Sequence, residues 1–226
     1  MNLKKLKLYY FTIINLKLSQ ICYRVYYVIR NKFFGRRLVN TIDLNIKPSN
    51  LNYLTQFINY PNSFFNEKIT FVFLGRKKSF KSISEIDFEL KDFGELWCYN
   101  LNYFDFLNQN NNNFQLEKDI IVEWVDRDYK SKSIVWDPYP VSMRLVNLIK
   151  WFSKNLNKFD NKTKIYFLKL IKQHDLYLRK NIEFHLDGNH LLENYISLLI
   201  SSIFFNKEGQ LESDFHNLNN EIEKQF

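Results

Sequence analysis

The sequence of 226 residues contains no alanine, only five glycines and four prolines, and only two cysteines. So little glycine and proline excludes a collagen-like or low-complexity chain. The cysteines, Cys22 and Cys98, have no ligand-spaced Cys or His beside them, which argues against a disulfide framework or a zinc site. No metal or other cofactor is expected. The missing alanine accompanies heavy use of Asn, Lys, Ile, Phe and Tyr, as an A- and T-rich coding sequence would impose. Asn and Lys counts are therefore weak functional evidence, and the Asn run at 110–113 reads as a loop insertion. A long unbroken apolar run is also lacking. Residues 8–29 come nearest, but Lys17, Gln20 and Arg24 interrupt them and no small-residue cleavage site follows. Neither a membrane span nor a signal peptide is expected, so the chain reads as cytoplasmic or membrane-peripheral.

Acid is absent from one region. Residues 1–40 hold nine Lys or Arg and no Asp or Glu, leaving 23 of the 32 bases against all 24 acids in the rest of the chain. The formal charge of +8 therefore belongs to the N-terminus. No DNA- or RNA-binding motif accompanies it, so nucleic acid is not an expected partner. What is present is apolar: 46% hydrophobic and 18% aromatic residues are enough to bury the core of one large domain or two small ones.

Periodicity divides the chain into three parts. In residues 1–40, Ile14, Leu18, Ile21, Val25 and Val28 step by four and three beside a polar stripe of Lys17, Gln20 and Arg24. This predicts a basic amphipathic helix that docks its apolar stripe on the rest of the protein, or lies on an anionic membrane surface through residues 1–34. Residues 41–115 form a mixed region. Ile42, Leu44 and Ile46 alternate with polar residues, as do Ile86, Phe88 and Leu90, and 69–74 is a short β-rich run before an exposed turn at Gly75, Arg76, Lys77 and Lys78.

Residues 116–226 carry the helical period. From Pro140, Val141, Leu145, Leu148 and Phe152 predict a buried stripe, with Arg144, Asn147 and Trp151 on another, partly exposed face. A helix from an N-cap at Thr163 bears His174 on its apolar side, where a hydrogen-bonded core role is expected. Asp187 and Gly188 break the pattern. The next helix should bury Leu192, Ile196, Leu199 and Ile203, with His190, Glu193, Ser197 and Ser201 outward. The last should bury Phe215, Leu218, Ile222 and Phe226. Successive helices on short polar connections predict a mainly α fold of stacked helical hairpins.

Three blocks, LWCYNLNYFDFL at 96–107, WDPYPVSMRLVNLIKW at 136–151 and EFHLDGNHLLEN at 183–194, together resemble the heparinase II/III family of polysaccharide lyases. The resemblance implies an incomplete α/α toroid, followed in the family by a β-sandwich, and cleavage of an acidic polysaccharide by β-elimination at a uronic acid. It assigns Asn189 and His190 to the catalytic site, where Asn189 would hydrogen-bond the uronate carboxylate and His190 would assist its neutralisation or act in proton transfer as the C5 proton leaves. Tyr139, Arg144 and His185 would contact substrate, and Glu193 and Asn194 would support them. The family's general base is a tyrosine downstream of the Asn-His pair, and here no tyrosine follows Tyr195. The expectation is an incomplete lyase chain that is inactive or nearly so by itself. The alternative is a non-catalytic helical module that binds acidic glycan or docks on a membrane-associated polysaccharide assembly.

Overall fold

The computed structural model describes residues 7, 10–11, 14–33, 48–51, 54, 63–65, 68–110, 113–129, 133–186 and 188–225. Among these the chain is mainly α, as its periodicity predicts. In chain order the elements are α1 (Leu18–Phe33), β1 (Phe64–Phe65), β2 (Ile69–Phe73), β3 (Arg76–Phe80), α2 (Glu95–Tyr103), α3 (Phe114–Asp126), α4 (Pro138–Lys154), α5 (Asn161–Lys180), α6 (Gly188–Phe204) and α7 (Glu208–Gln225).

The strands form one antiparallel sheet in the order β1-β2-β3. Leu74 and Gly75, both at positive φ, make the two-residue turn of the β2–β3 hairpin. Arg76, Lys77 and Lys78, expected in the turn, instead open β3. Ile86, Phe88 and Leu90 are buried between exposed neighbours as their alternation predicts, but through a turn rather than a ladder. The alternation at Ile42, Leu44 and Ile46 lies outside the described residues. Helix α2 occupies positions where extended chain was expected, and it ends at Phe104, a fully buried residue held in the left-handed region at φ 63°.

The central element is α4, which packs against α2, α5 and α6. Pro138 occupies its first turn, where no N–H is needed. Its predicted stripe of Val141, Leu145, Leu148 and Phe152 is buried, and so is the opposite face: Arg144, Asn147 and Trp151 are 0%, 3% and 0% exposed. The expectation that Arg144 lines a cleft and contacts substrate therefore fails. Its guanidinium donates to the carbonyls of Asn102 (2.8 Å) and Val135 (2.9 Å) and to His174 Nε2 (2.9 Å), and it lies 4.3 Å from the Trp124 ring centre with Phe104 and Trp136 around it. Three of its five N–H donors are spent on core acceptors, and full burial keeps the rest from solvent and from any ligand in the cleft.

His174 has the core role expected of it, donating from Nδ1 to the Leu170 carbonyl (2.8 Å) and accepting from Arg144. The cap of α5 is Asp160, whose carboxylate accepts from the Thr163 N–H, rather than Thr163 itself.

On three helices the buried face differs from the predicted one. In α6, Leu192, Ile196, Leu199 and Ile203 are half-buried, whereas Ser197 and Ser201 are fully buried. Small side chains let α6 approach α4, with Ser197 Oγ donating to the Ser142 carbonyl (3.0 Å). In α7, Asp214 and Glu221 are buried while Phe215 and Ile222 are exposed. Asp214 earns its burial through a bidentate pair with Arg179 and a bond from Ser202 Oγ. In α1 the predicted docking stripe faces outward. The helix docks instead through Gln20, Tyr23, Tyr27 and Arg30, which reach the segment between α5 and α6.

Arg144→Ala should lower unfolding stability in urea by about 3–5 kcal/mol, because it leaves three buried acceptors unsatisfied and opens a cavity. The pH dependence follows from His174. Burial, reinforced by the Arg144 charge, lowers its pKa from 6.5 to about 3. The unfolded chain takes up this proton near its ordinary pKa and the folded chain does not. Stability is therefore complete above that value and is lost as pH falls toward about 3, by at most roughly 5 kcal/mol. His174→Gln should flatten the urea midpoint across that interval.

Candidate functional site

A cleft of about 270 Å³ opens where four segments meet. Helix α1 supplies Tyr27 and Arg30, α2 supplies Tyr99, the start of α4 supplies Asp137, Pro138 and Tyr139, and the α5–α6 connection with the first turn of α6 supplies Asn181, Glu183, His185, Leu186 and His190. A second depression, on the sheet, is lined by Phe65, Lys68, Thr70, Val72 and Lys77 and contains no acid–base pair.

The cleft brings together three of the five residues assigned from the sequence, Tyr139, His185 and His190. Asn189 is exposed and lies outside the cleft lining, one residue before His190. Arg144 is in the core. Glu183, Arg30, Tyr99 and Asp137 were not assigned. Glu183 was visible within the third block, but sequence alone did not show that the chain folds back to set it against His190.

That contact organises the site. His190 Nδ1 lies 3.2 Å from Glu183 Oε2, so Nδ1–H donates to the carboxylate and Nε2 is left for a ligand. The Glu183 hydrogen bond, opposed by partial burial, raises the His190 pKa above its ordinary value. Glu183 is itself fixed, its backbone N–H donating to Asn194 Oδ1 (2.8 Å) while Asn194 Nδ2 donates to Ser142 Oγ (2.9 Å) on α4. Asn194 thus acts as the supporting residue its position predicted. The Tyr139 ring lies 4.4 Å from the His190 ring, an aromatic plane beside the imidazole.

The other walls are equally constrained. Tyr99 donates to Asp137 Oδ2 (2.6 Å), and burial together with that bond pushes the Tyr99 hydroxyl far above its usual range. Arg30 is almost buried. It donates to the Lys180 carbonyl (2.9 Å) and to Asn181 Oδ1 (2.8 Å) and stacks 4.7 Å above Tyr27, whose pKa burial raises to about 12. His185 meets Tyr27 edge-on at 4.9 Å, and burial lowers its pKa. Its Nδ1 is buried without a hydrogen-bond partner among the described residues. The site therefore offers an imidazole whose pKa is raised, a second whose pKa is lowered, a fixed guanidinium charge and aromatic faces. Its two carboxylates are each held by a wall residue.

Among the described residues no group of three or more His, Cys, Asp or Glu could hold a metal ion. The family model described as heparinase II/III N-terminus matches residues 55–226, which includes every cleft residue except those on α1. No curated protein and no solved structure matches the chain.

Glu183→Gln removes the charge that holds the proton on His190. The His190 pKa, followed by NMR of the imidazole resonances, should fall in this variant. An unchanged His190 titration would show that Glu183 does not set its protonation.

Proposed function

Because the chain belongs to the heparinase II/III N-terminus family, we propose that this cleft binds an acidic polysaccharide by the carboxylate of a uronic acid. The observation that carries the reading is the Glu183–His190 pair on the cleft wall beside Tyr139. An imidazolium whose Nδ1 is committed to Glu183 presents Nε2–H to an anion, and such charge-assisted bonds are about twice as strong as neutral ones. The start of α6 adds the positive end of a 17-residue helix dipole to the same place. Tyr139 offers a flat face to a sugar ring, and Asn189, exposed one residue before His190, can add an amide donor to the same carboxylate. On this reading α4 to α7 are the opening hairpins of an α/α toroid.

In β-elimination the C5 proton of a uronate becomes removable once its carboxylate charge is neutralised, since the developing enolate then meets preset donors. His190 and Asn189 would provide that neutralisation. Elimination also needs a proton acceptor. Burial raises the pKa of Tyr27, Tyr99 and Tyr139, which keeps these cleft hydroxyls protonated at neutral pH. This same feature supports a second reading, a glycan-binding module that holds the uronate without cleaving it.

Titration with a panel of uronate-containing and neutral polymers, combined with ultraviolet detection of unsaturated sugars, separates the two. The chain should prefer uronate polymers, and binding should weaken as pH rises through the raised His190 pKa, because the imidazolium is lost. His190→Gln should cost about tenfold in affinity, or about 1.4 kcal/mol. Unsaturated product that disappears in Asn189→Ala and His190→Gln supports the lyase; binding without product supports the module. Equal affinity for neutral polymers would eliminate both.

A further inference from the structure

We propose that the outward face of α1 docks on an anionic phospholipid surface. Two faces of this helix have separate work. Tyr27 and Arg30 point inward and line the cleft, and Gln20 Nε2 donates to the Leu186 carbonyl (3.3 Å). On the opposite side Leu18, Val25, Val28, Ile29 and Phe33 are 77%, 53%, 68%, 52% and 70% exposed. At 100° per residue, Leu18, Val25 and Ile29 fall on one line, with Val28 and Phe33 at its flanks. Isolated apolar residues on a surface are ordinary, but a continuous stripe along a whole helix marks an interaction face.

Charge chooses the occupant. Residues 1–40 carry nine bases and no acid, and on α1 itself Arg24 is exposed at the margin of the stripe and Lys32 within its last turn. A second copy of the chain would bring the same positive charge to the contact and be repelled. An anionic bilayer meets both properties at once, taking the apolar stripe among its acyl chains and the bases among its headgroups. Among the described residues no helix is long and apolar enough to cross a membrane, so α1 would lie in the plane of the interface. It also lies outside the residues that match the family, and the face proposed here is opposite the one that carries Tyr27 and Arg30 into the cleft.

The full chain should float with phosphatidylcholine vesicles that contain phosphatidylglycerol and remain behind with vesicles of phosphatidylcholine alone. High salt should weaken the binding. Leu18→Glu combined with Val25→Glu should reduce vesicle binding by about tenfold or more, with circular dichroism and the His190 titration unchanged. Arg24→Glu combined with Lys32→Glu, at exposed positions where folding is not at stake, should weaken binding to anionic vesicles alone. The proposal is overturned if the folded chain ignores anionic vesicles, or if both double variants bind like the parent. It is equally overturned if light scattering shows a dimer that the Leu18/Val25 variant dissociates while vesicles are not bound; the face would then belong to a second copy.

Discussion

A buried guanidinium without a carboxylate partner is the constraint on which the rest of this structure depends. Moving Arg144 out of water is costly, and burial lowers its pKa to about 9, which still leaves it charged at neutral pH. Carbonyls of Asn102 and Val135, the lone pair of a neutral His174 and an aromatic enclosure stand in for the missing anion. Each comes from a different part of the chain: the end of α2, the short 3-10 turn Ile134–Trp136, α5, and Trp124 on α3. One side chain on α4 thus fixes the relative positions of four neighbours, and none can shift without stranding a charge.

The cleft inherits its geometry from that arrangement. Val135 is held by Arg144, and the Trp136 carbonyl accepts from Tyr177. The next residues are Asp137, Pro138 and Tyr139, all on the cleft wall. On the far side, Asn181 Nδ2 donates to the Tyr177 carbonyl and Asn181 Oδ1 receives Arg30. Two of the three sequence blocks that resemble the lyase family therefore serve largely as architecture: Asn102, Phe104, Trp136, Arg144, Asn147 and Trp151 are buried, Arg144 and Asn147 donate to the carbonyls of Asn102 and Tyr103, and Trp151 donates to Glu117 on α3. The third block, at 183–194, carries the imidazole and carboxylate that face the cleft.

How much of this was legible in the sequence depends on the kind of signal. Helical period gave the mainly α fold, the apolar stripe of α4 and the core role of His174, because apolar spacing reports burial directly. It misread α1, α6 and α7 for a common physical reason. Periodicity assumes that polar means exposed, yet Ser197, Ser201, Asp214 and Arg30 are buried where backbone carbonyls, an opposite charge or a close helix approach receive them. Arg144 was misplaced by the same assumption. In the cleft, Tyr139, His185 and His190 were found because they lie in recognisable blocks. Tyr99 and Asp137 also lie in such blocks, but nothing in their local pattern marks them as cleft residues, and Arg30 meets them only through contacts distant in sequence, which no local pattern records.

Helix α1 closes one side of the cleft with the minority of its surface, and its apolar side contributes little to the core. Its attachment rests on a few hydrogen bonds and ring contacts, so it belongs among the elements expected to open locally at small free-energy cost. Anything that binds only when α1 is seated draws on that same equilibrium. A polymer held against Tyr27 and Arg30 would stabilise the seated helix, whereas a surface held against Val25 and Ile29 meets a face that is outward whether or not the helix is seated and by itself shifts nothing. Filling the cleft would thus raise the free energy needed to open α1 by whatever the polymer gains from Tyr27 and Arg30.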